Sequence, residues 1–212
     1  MEINVGNGRG VFLTRVVTHR MYKNGLKRVL DLLVVLPVLL VIGLPLLFFA
    51  FLIKLESKGP VFFMQERLGK NAEVFKIYKF RSMTVNAERV VGEVFADNSD
   101  VTRIGRVARR FKIDELPQLI NIVLGHMSIV GPRPCLPAQK GDMNEIDLVR
   151  LTVMPGLTGL AQINGNIHLS WQERWKYDCH YVENMSFFLD IYIIFKTILV
   201  VMFGEDEFRK ML

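Results

Sequence analysis

Asp114 and Glu115 stand side by side in "RRFKIDELPQL", residues 109–119, close behind Arg109, Arg110 and Lys112. A carboxylate beside such cations stays ionised. That suits a nucleophile or a Mg²⁺ ligand better than a general acid. Adjacent residues of a helix face different ways, so the pair does not read as a dyad sharing one proton. The chemistry that fits is attack on an anionic pyrophosphate, with the nearby cations screening the repulsion. Taken alone, such a pair is more often the capped start of a helix with solvated salt bridges.

Three further stretches carry the same ambiguity. Arg103, Arg106, Arg109 and Arg110 follow the spacing of one helix face and could bind phosphates bidentately, or simply face lipid headgroups. "GPRP", residues 131–134, is a rigid turn presenting Arg133, or a plain loop. "PGLTGLAQINGN", residues 155–166, could offer backbone amides as an anion nest, although a glycine-rich loop is a weak signal. The four histidines show no metal-ligand spacing and read as structural, and neither a P-loop nor a dinucleotide fingerprint is present. Trp171, Trp175, Tyr177 and Tyr181 recur at helical spacing and read as core or interfacial belt.

The elements that must position these groups are partly legible. Residues 61–64 and 74–80 look like strands around a turn at Gly69-Lys70-Asn71, forming a small hairpin that carries Lys76, Lys79 and Arg81. Residues 84–102 are polar, with an "ADNSD" loop. A helix is predicted over "RIGRVARRF", and a second from about Asp114–Pro117 through "QLINIVLG". Helical character returns near 141–152. Ser170 opens a helix over "SWQERWKYDCHYVEN". "FFLDIYIIFKTILVVMF" reads as an amphipathic helix lying on a membrane surface.

Residues 32–53, "LLVVLPVLLVIGLPLLFFAFLI", contain no charge, and 22 residues would just cross a bilayer core of roughly 30 Å. Two features argue against a simple span. Pro37 and Pro45 lie inside, with Gly43 between them, and proline kinks a helix. Both flanks are basic: Arg15, Arg20, Lys23, Lys27 and Arg28 before, Lys54, Lys58, Arg67 and Lys70 after. The positive-inside rule finds little asymmetry here; if both flanks are cytoplasmic the segment must enter and return, with a true span and a buried soluble helix as the alternatives. The preferred reading is a re-entrant helix–break–helix bent near Gly43 and Pro45. Asp31 is expected in an interfacial salt bridge with Lys27 or Arg28.

At 212 residues the chain suits one sizeable domain with an appendage, and its net charge of +6 suits anionic lipid, nucleotides or nucleic acid. Cys135 and Cys179 are too few for a disulfide framework and read as reduced thiols facing a cytosol. The first 25 residues lack the pattern of a removable signal peptide.

In chain order, the broken apolar hairpin, "KIYKFRSM", "IDELPQLINIVLGHMSIVGPRP", "PGLTGLAQINGN" and "YVENMSFFLDIYIIFKTI" resemble the bacterial sugar transferases known as monotopic phosphoglycosyl transferases. The resemblance covers about residues 26–202 and is to their small catalytic form. It implies transfer of a sugar-1-phosphate from a UDP-sugar donor to a polyprenol (undecaprenyl) phosphate acceptor through a covalent phosphosugar–aspartate, with UMP leaving. This is the first step of a lipid-linked glycan. Asp114 would be the nucleophile and Glu115 its partner, with Mg²⁺ as cofactor on Asp114 and Glu115. Lys79, Arg81, Arg110 and Arg133 would lie near the phosphates. Pro155, Gly156, Gly159, Gln162, Asn164 and Gly165 would form the nucleotide or sugar loop, and Gly43 and Pro45 the membrane break.

The implied fold is mainly α with a small β-hairpin, monotopic, with interfacial amphipathic helices. Its divisions are a basic segment (1–25), a re-entrant hairpin (26–57), a catalytic domain (58–203) and a polar tail (204–212). The implied location is the cytoplasmic face of a bacterial inner membrane, in contact with membrane lipids, and a homo-oligomer is left open. Leu44-Pro45 stands where the family often has Ser-Pro. Asn166-Ile167 stands where an Arg-Asn pair is common after Asn-Gly, and Arg174 is the cation nearest in sequence to replace the arginine. Two other classes are weighed against this reading. A non-catalytic membrane-surface scaffold would release no UMP from any UDP-sugar. A nucleic-acid binder would show salt-sensitive retention, and the apolar hairpin argues against that partner.

Overall fold

The apolar run forms a single helix, α1 (Lys27–Glu56), that continues through Pro37, Gly43 and Pro45. Where the sequence suggested a break, the helix is unbroken, and the two prolines sit inside it. The computed structural model describes residues 21–84 and 100–204. Most of the N-terminal basic segment, the polar loop with "ADNSD", and the acidic tail lie outside the described residues. By length and composition α1 is the one described helix able to cross a membrane. Its middle is bare, with Leu40, Val41 and Leu44 at 85%, 76% and 77% exposure. Its ends are not: Asp31, Val35 and Ile53 are buried.

The start of α1 is held by polar contacts. Arg28 donates to the carbonyls of Ile122 and Val123 in the last turn of α3 (Gln118–Leu124), where a cation suits the helix dipole. Asp31 accepts from Ser128 Oγ at 2.6 Å and from the Ile129 amide. The expected ion pair with Lys27 is present at 4.0 Å, but Asp31 is buried and also serves as an acceptor for Ser128 and Ile129. Lys27 turns to Asp190, which also accepts from Tyr22 at 2.5 Å and Tyr181 at 2.7 Å. Asp190 belongs to α6 (Phe187–Phe203), so this cluster fastens the first and last described helices together.

The end of α1 is held as firmly. Glu56 accepts from the amides of Arg103 and Ile104, the first two residues of α2 (Arg103–Arg110). Arg81 donates to the carbonyls of Ser57 (2.7 Å), Lys58 (3.1 Å) and Ile53 (3.4 Å). These contacts satisfy carbonyls that a helix end leaves without partners.

β1 (Phe62–Leu68) and β2 (Val74–Phe80) pair antiparallel, with Phe62 opposite Phe80 and Leu68 opposite Val74. The free edge of β2 would otherwise be open to other chains. Asn121 of α3 covers it: its carboxamide accepts from the Tyr78 amide (3.0 Å) and donates to the Lys76 carbonyl (2.8 Å). The core between them gathers Val35, Phe75, Ile77, Leu119, Ile122 and Met127.

A second sheet, which no pattern in the chain announces, pairs β3 (Ser128–Val130) and β4 (Gly156–Thr158) in parallel. Residues 137–142 and 147–152 form 3-10 turns, not an α-helix. A four-residue helix, α4 (Leu160–Ile163), follows β4, and then α5 (Trp171–Asn184). Ser170 caps α5 with a reciprocal bond to Glu173, as the sequence suggested. α6 buries Ile193 and Val200, but its outer face, with Phe188 and Met202 exposed, is also apolar, so it lacks the polar face expected of an amphipathic helix.

Candidate active site

Asp114 and Glu115 lie in a 3-10 turn, Ile113–Glu115, between α2 and α3. Lys112 before it adopts a left-handed backbone (φ 55°), which breaks the helical run and redirects the acids. Glu115 points at the hairpin and at "GPRP". Its Oε1 accepts from Lys79 Nζ at 2.7 Å and from Arg133 at 3.1 Å. Burial alone would raise its pKa, but Lys79 and Arg133 outweigh that and hold the carboxyl well below its usual range.

Asp114 is the opposite case. Burial and the charge of Glu115 raise its pKa, against the pull of Lys79, Lys112 and Arg109. Glu115 is thus held more firmly ionised than an ordinary glutamate, and Asp114 less firmly than an ordinary aspartate. Asp114 Oδ1 is buried and has no hydrogen-bond partner among the described residues. An orphaned, basic carboxylate oxygen beside a fixed anion and several cations is chemically the more reactive of the two.

The sequence-predicted cations divide. Lys79 and Arg133 reach the acid pair. Arg81 does not: β2 ends at Phe80, and Arg81 turns to the end of α1. Arg110 does not either. It donates to the Val201 carbonyl of α6 and lies over the Phe111 ring. Its neighbour Arg109 takes the place by Asp114, with its Nε donating to Ser82 Oγ at 2.9 Å.

The glycine-rich loop is also not the anion nest it suggested. A Cβ on Gly156 would fall 2.1 Å from the Gly131 nitrogen, and one on Gly159 would fall 2.2 Å from the Gly131 carbonyl oxygen. These glycines let "GPRP" lie against β4, which fixes Arg133. The Pro155 carbonyl accepts from the Ser128 amide, and Asn164 bonds the Leu160 carbonyl. Gly165 takes a positive φ of 132° that favours glycine. Gln162 alone of that set turns its side chain into a cleft.

That cleft is small, about 20 Å³, and adjoins the acid pair through Arg133, which belongs to both. Arg67, Arg150 and Arg174 complete its cations, with Trp171, Trp175 and Asp178 among its walls. Arg150 binds Asp178 at 2.7 Å, both being almost wholly buried, and also donates to the Arg133 carbonyl. Burial pushes Asp178 up to about 6 even with Arg150 beside it. The sequence reading missed Arg67, Arg150 and Asp178, which lie far apart along the chain and match no short motif.

The acid turn, the arginine of "GPRP" and the hairpin lysine converge as the motif order implied. The family described as Bacterial sugar transferase matches residues 22–204. This chain belongs to the bacterial sugar transferase family. The sugar transferase EpsL of Bacillus subtilis (strain 168) is 40% identical over 180 residues, 85% of this chain and 89% of EpsL. The exopolysaccharide production protein PSS of Rhizobium leguminosarum bv. phaseoli is 44% identical over 186 residues, 82% of this chain and 93% of PSS. The UDP-N-acetylgalactosamine-undecaprenyl-phosphate N-acetylgalactosaminephosphotransferase of Aeromonas hydrophila is 41% identical over 190 residues, 84% of this chain but 44% of that protein. The sugar-transferase match spans both ends of α1 as well as the acid turn, so the membrane-type helix and the site belong to one unit.

Proposed function

We propose that this sugar transferase moves a sugar-1-phosphate from a UDP-sugar to undecaprenyl phosphate, starting a lipid-linked polysaccharide. Asp114 attacks the phosphorus that bears the sugar. The bond from that phosphorus to the UMP oxygen breaks, UMP leaves, and a phosphosugar–aspartate remains. An oxygen of the lipid phosphate then attacks the same phosphorus, expelling Asp114 and forming a lipid diphosphate sugar. The observation that carries this reading is the buried, unpartnered Oδ1 of Asp114 beside a Glu115 held ionised by Lys79 and Arg133. The name of the Aeromonas relative, which pairs a UDP-sugar with undecaprenyl phosphate, supports the substrate classes.

The carboxylate oxygens suit a hard cation such as Mg²⁺, and Asp114 Oδ1 has no competing partner among the described residues. Asp114 and Glu115 would hold the ion. Among the described residues no cluster of three acidic, His or Cys side chains exists, so water and substrate phosphates would supply its other ligands. When bound it would neutralise charge on the transferring phosphate. Lys79 and Arg133 meanwhile fix Glu115, and Arg109 screens Asp114.

The monotopic, re-entrant reading draws support from α1. Thirty residues of straight helix reach about 45 Å, more than a hydrocarbon core. Both ends are tied to the same globular body, through Arg28 and Asp31 at one end and Ile53 and Glu56 at the other. A helix crossing to the far side would have to break one of these sets. Bending at Pro37 and Pro45 would keep both, with the bare middle in lipid and the cationic flanks at the cytoplasmic face.

The test is nucleotide release from protein in nanodiscs with Mg²⁺, undecaprenyl phosphate and a panel of UDP-sugars. UMP from wild type and none from Asp114→Asn is the expected result. UDP release would mean transfer of the sugar without its phosphate and would refute the mechanism. Release of neither nucleotide from a folded protein would favour the scaffold reading.

A further inference from the structure

The backbone of "GPRPC", residues 131–135, is gripped at every residue. The Gly131 amide donates to the Thr158 carbonyl at 2.9 Å, and the Pro132 carbonyl accepts from the Gly156 amide at 2.9 Å. The Pro134 carbonyl accepts from Arg67 at 3.3 Å, and the Cys135 carbonyl from the Leu68 amide at 2.9 Å. Arg133, the residue that reaches Glu115, is gripped differently. Its carbonyl accepts from Arg150 Nη2 at 2.5 Å. Its amide lies close enough to Asp178 to favour the ionised carboxylate. Arg150 and Asp178 are joined by two bonds, from Nε and Nη2 to Oδ2 at 3.0 and 2.7 Å. One buried ion pair thus faces both polar groups of the Arg133 main chain.

We propose that Arg150 and Asp178 are positioning residues that set Arg133 against Glu115. The proposal rests on the transferase reading above. With side chains 3% and 1% exposed, the two cannot meet a substrate themselves. They act through the main chain of Arg133.

A buried ion pair is a poor source of stability, because desolvation offsets most of the attraction and apolar residues of like volume often do as well. What it supplies here is direction. Pro132 and Pro134 have a fixed φ and no amide. The peptide planes at Arg133 are therefore oriented through its own amide and carbonyl, the two groups that the pair faces. The Arg133 side chain is 36% exposed, so its aim depends on how its backbone is held. Turning those planes would swing the guanidinium away from Glu115 Oε1, now 3.1 Å away. Misplacing such a group by about 1 Å is worth on the order of 100-fold in rate.

The experiment combines amide hydrogen exchange and UMP release, both on the full chain in nanodiscs. Arg133 supplies the one amide between Gly131 and Cys135, so its exchange can be followed in wild type. It should be slowed at least about 100-fold against an exposed amide. Exchange at the exposed rate would overturn the proposal whatever the activity. Replacing the pair together, Arg150→Met with Asp178→Leu, should keep the fold, because no charge is left stranded. Protection of the Arg133 amide should then be lost, and UMP release should fall about 10-fold to 100-fold. In an Arg133→Ala background the same replacement should lower the residual release by less than about twofold, because its target is gone. Equal losses in the two backgrounds would mean that the pair serves the fold in general, and would overturn the proposal. So would protection and release that both survive the replacement. If the double replacement fails to fold, Asp178→Asn, which keeps the shape and loses the charge, carries the same comparison. Absence of UMP release from wild type would sink the transferase reading, while amide exchange would still decide whether the pair holds Arg133.

Discussion

Two buried polar clusters in this chain are built to opposite ends. At the base of α1, Asp190 takes donors on both oxygens, from Tyr181 on one and from Tyr22 and Lys27 on the other. Asp31 likewise accepts on both, from Ser128 and Ile129. Around the acid turn and its cleft, Asp114 Oδ1, Arg67 Nε, Gln162 Oε1 and Trp175 Nε1 have no hydrogen-bond partner among the described residues. Both regions are buried and charged. One is satisfied by the chain itself and serves as a fastening between membrane helix and body. The other leaves hydrogen-bonding capacity unmet among the described residues. Burial and charge alone do not mark a functional site; unmet hydrogen-bonding capacity at a cleft does.

Substitutions should separate the two. The largest effect is expected at Asp114. Asp114→Asn should lower turnover by at least about 10³-fold in a UMP-release assay, as loss of a nucleophile does. Its stability should not fall. The folded pKa of Asp114 lies above its unfolded value, so the folded state binds more protons between the two, and stability drops as pH rises through that window. An uncharged amide removes that penalty, and the midpoint of thermal unfolding should stay level or rise. Asp190→Ala should do the reverse. It strands Lys27 and two tyrosine hydroxyls and should cost about 3–5 kcal/mol of stability by denaturant titration. If Asp190→Ala were neutral for stability, the contrast would be wrong.

Gly156→Ala is expected to cost about 1–3 kcal/mol, since its Cβ meets backbone at "GPRP", and to reduce turnover by displacing Arg133. Wild-type binding of donor with unchanged kinetics in this variant would show that "GPRP" is not held by that contact. The smallest effect is in the pH profile. Asp114 must be ionised to attack, so activity should fall in acid through a pKa above the ordinary aspartate value of about 3.9. Glu115, held low by Lys79 and Arg133, should add no second limb in that range. Lys79→Met removes a cation that lowers Asp114 and should move the limb to higher pH.

Much of the acid turn was legible in the sequence because local grammar marks it. The cations before the acids, the proline after them and the rigid "GPRP" turn are all short-range signals. The wrong choices have local physical causes. Arg109 and Arg110 differ by about 100° around a helix. Which one meets Asp114 depends on the left-handed Lys112, which no residue type there announces. Lys79 and Arg81 share a strand face in principle, but β2 stops between them. The second sheet and the cleft were not legible. β3 and β4 are three residues each and pair across a long loop, and the Arg150–Asp178 pair joins residues 28 apart. The hydrophobic pattern marked α1 as long and apolar enough to cross a membrane but could not say that Asp31 would be buried against Ser128.

The most direct measurement is a donor-only experiment: wild-type protein, Mg²⁺ and its UDP-sugar, without lipid acceptor, followed by quenched UMP release and intact-protein mass. The account predicts up to one equivalent of UMP per protein and a mass increase of one phosphosugar, both absent in Asp114→Asn. UMP that appears only when undecaprenyl phosphate is added, with no adduct on the protein, would mean direct transfer between substrates and would contradict the role given to Asp114.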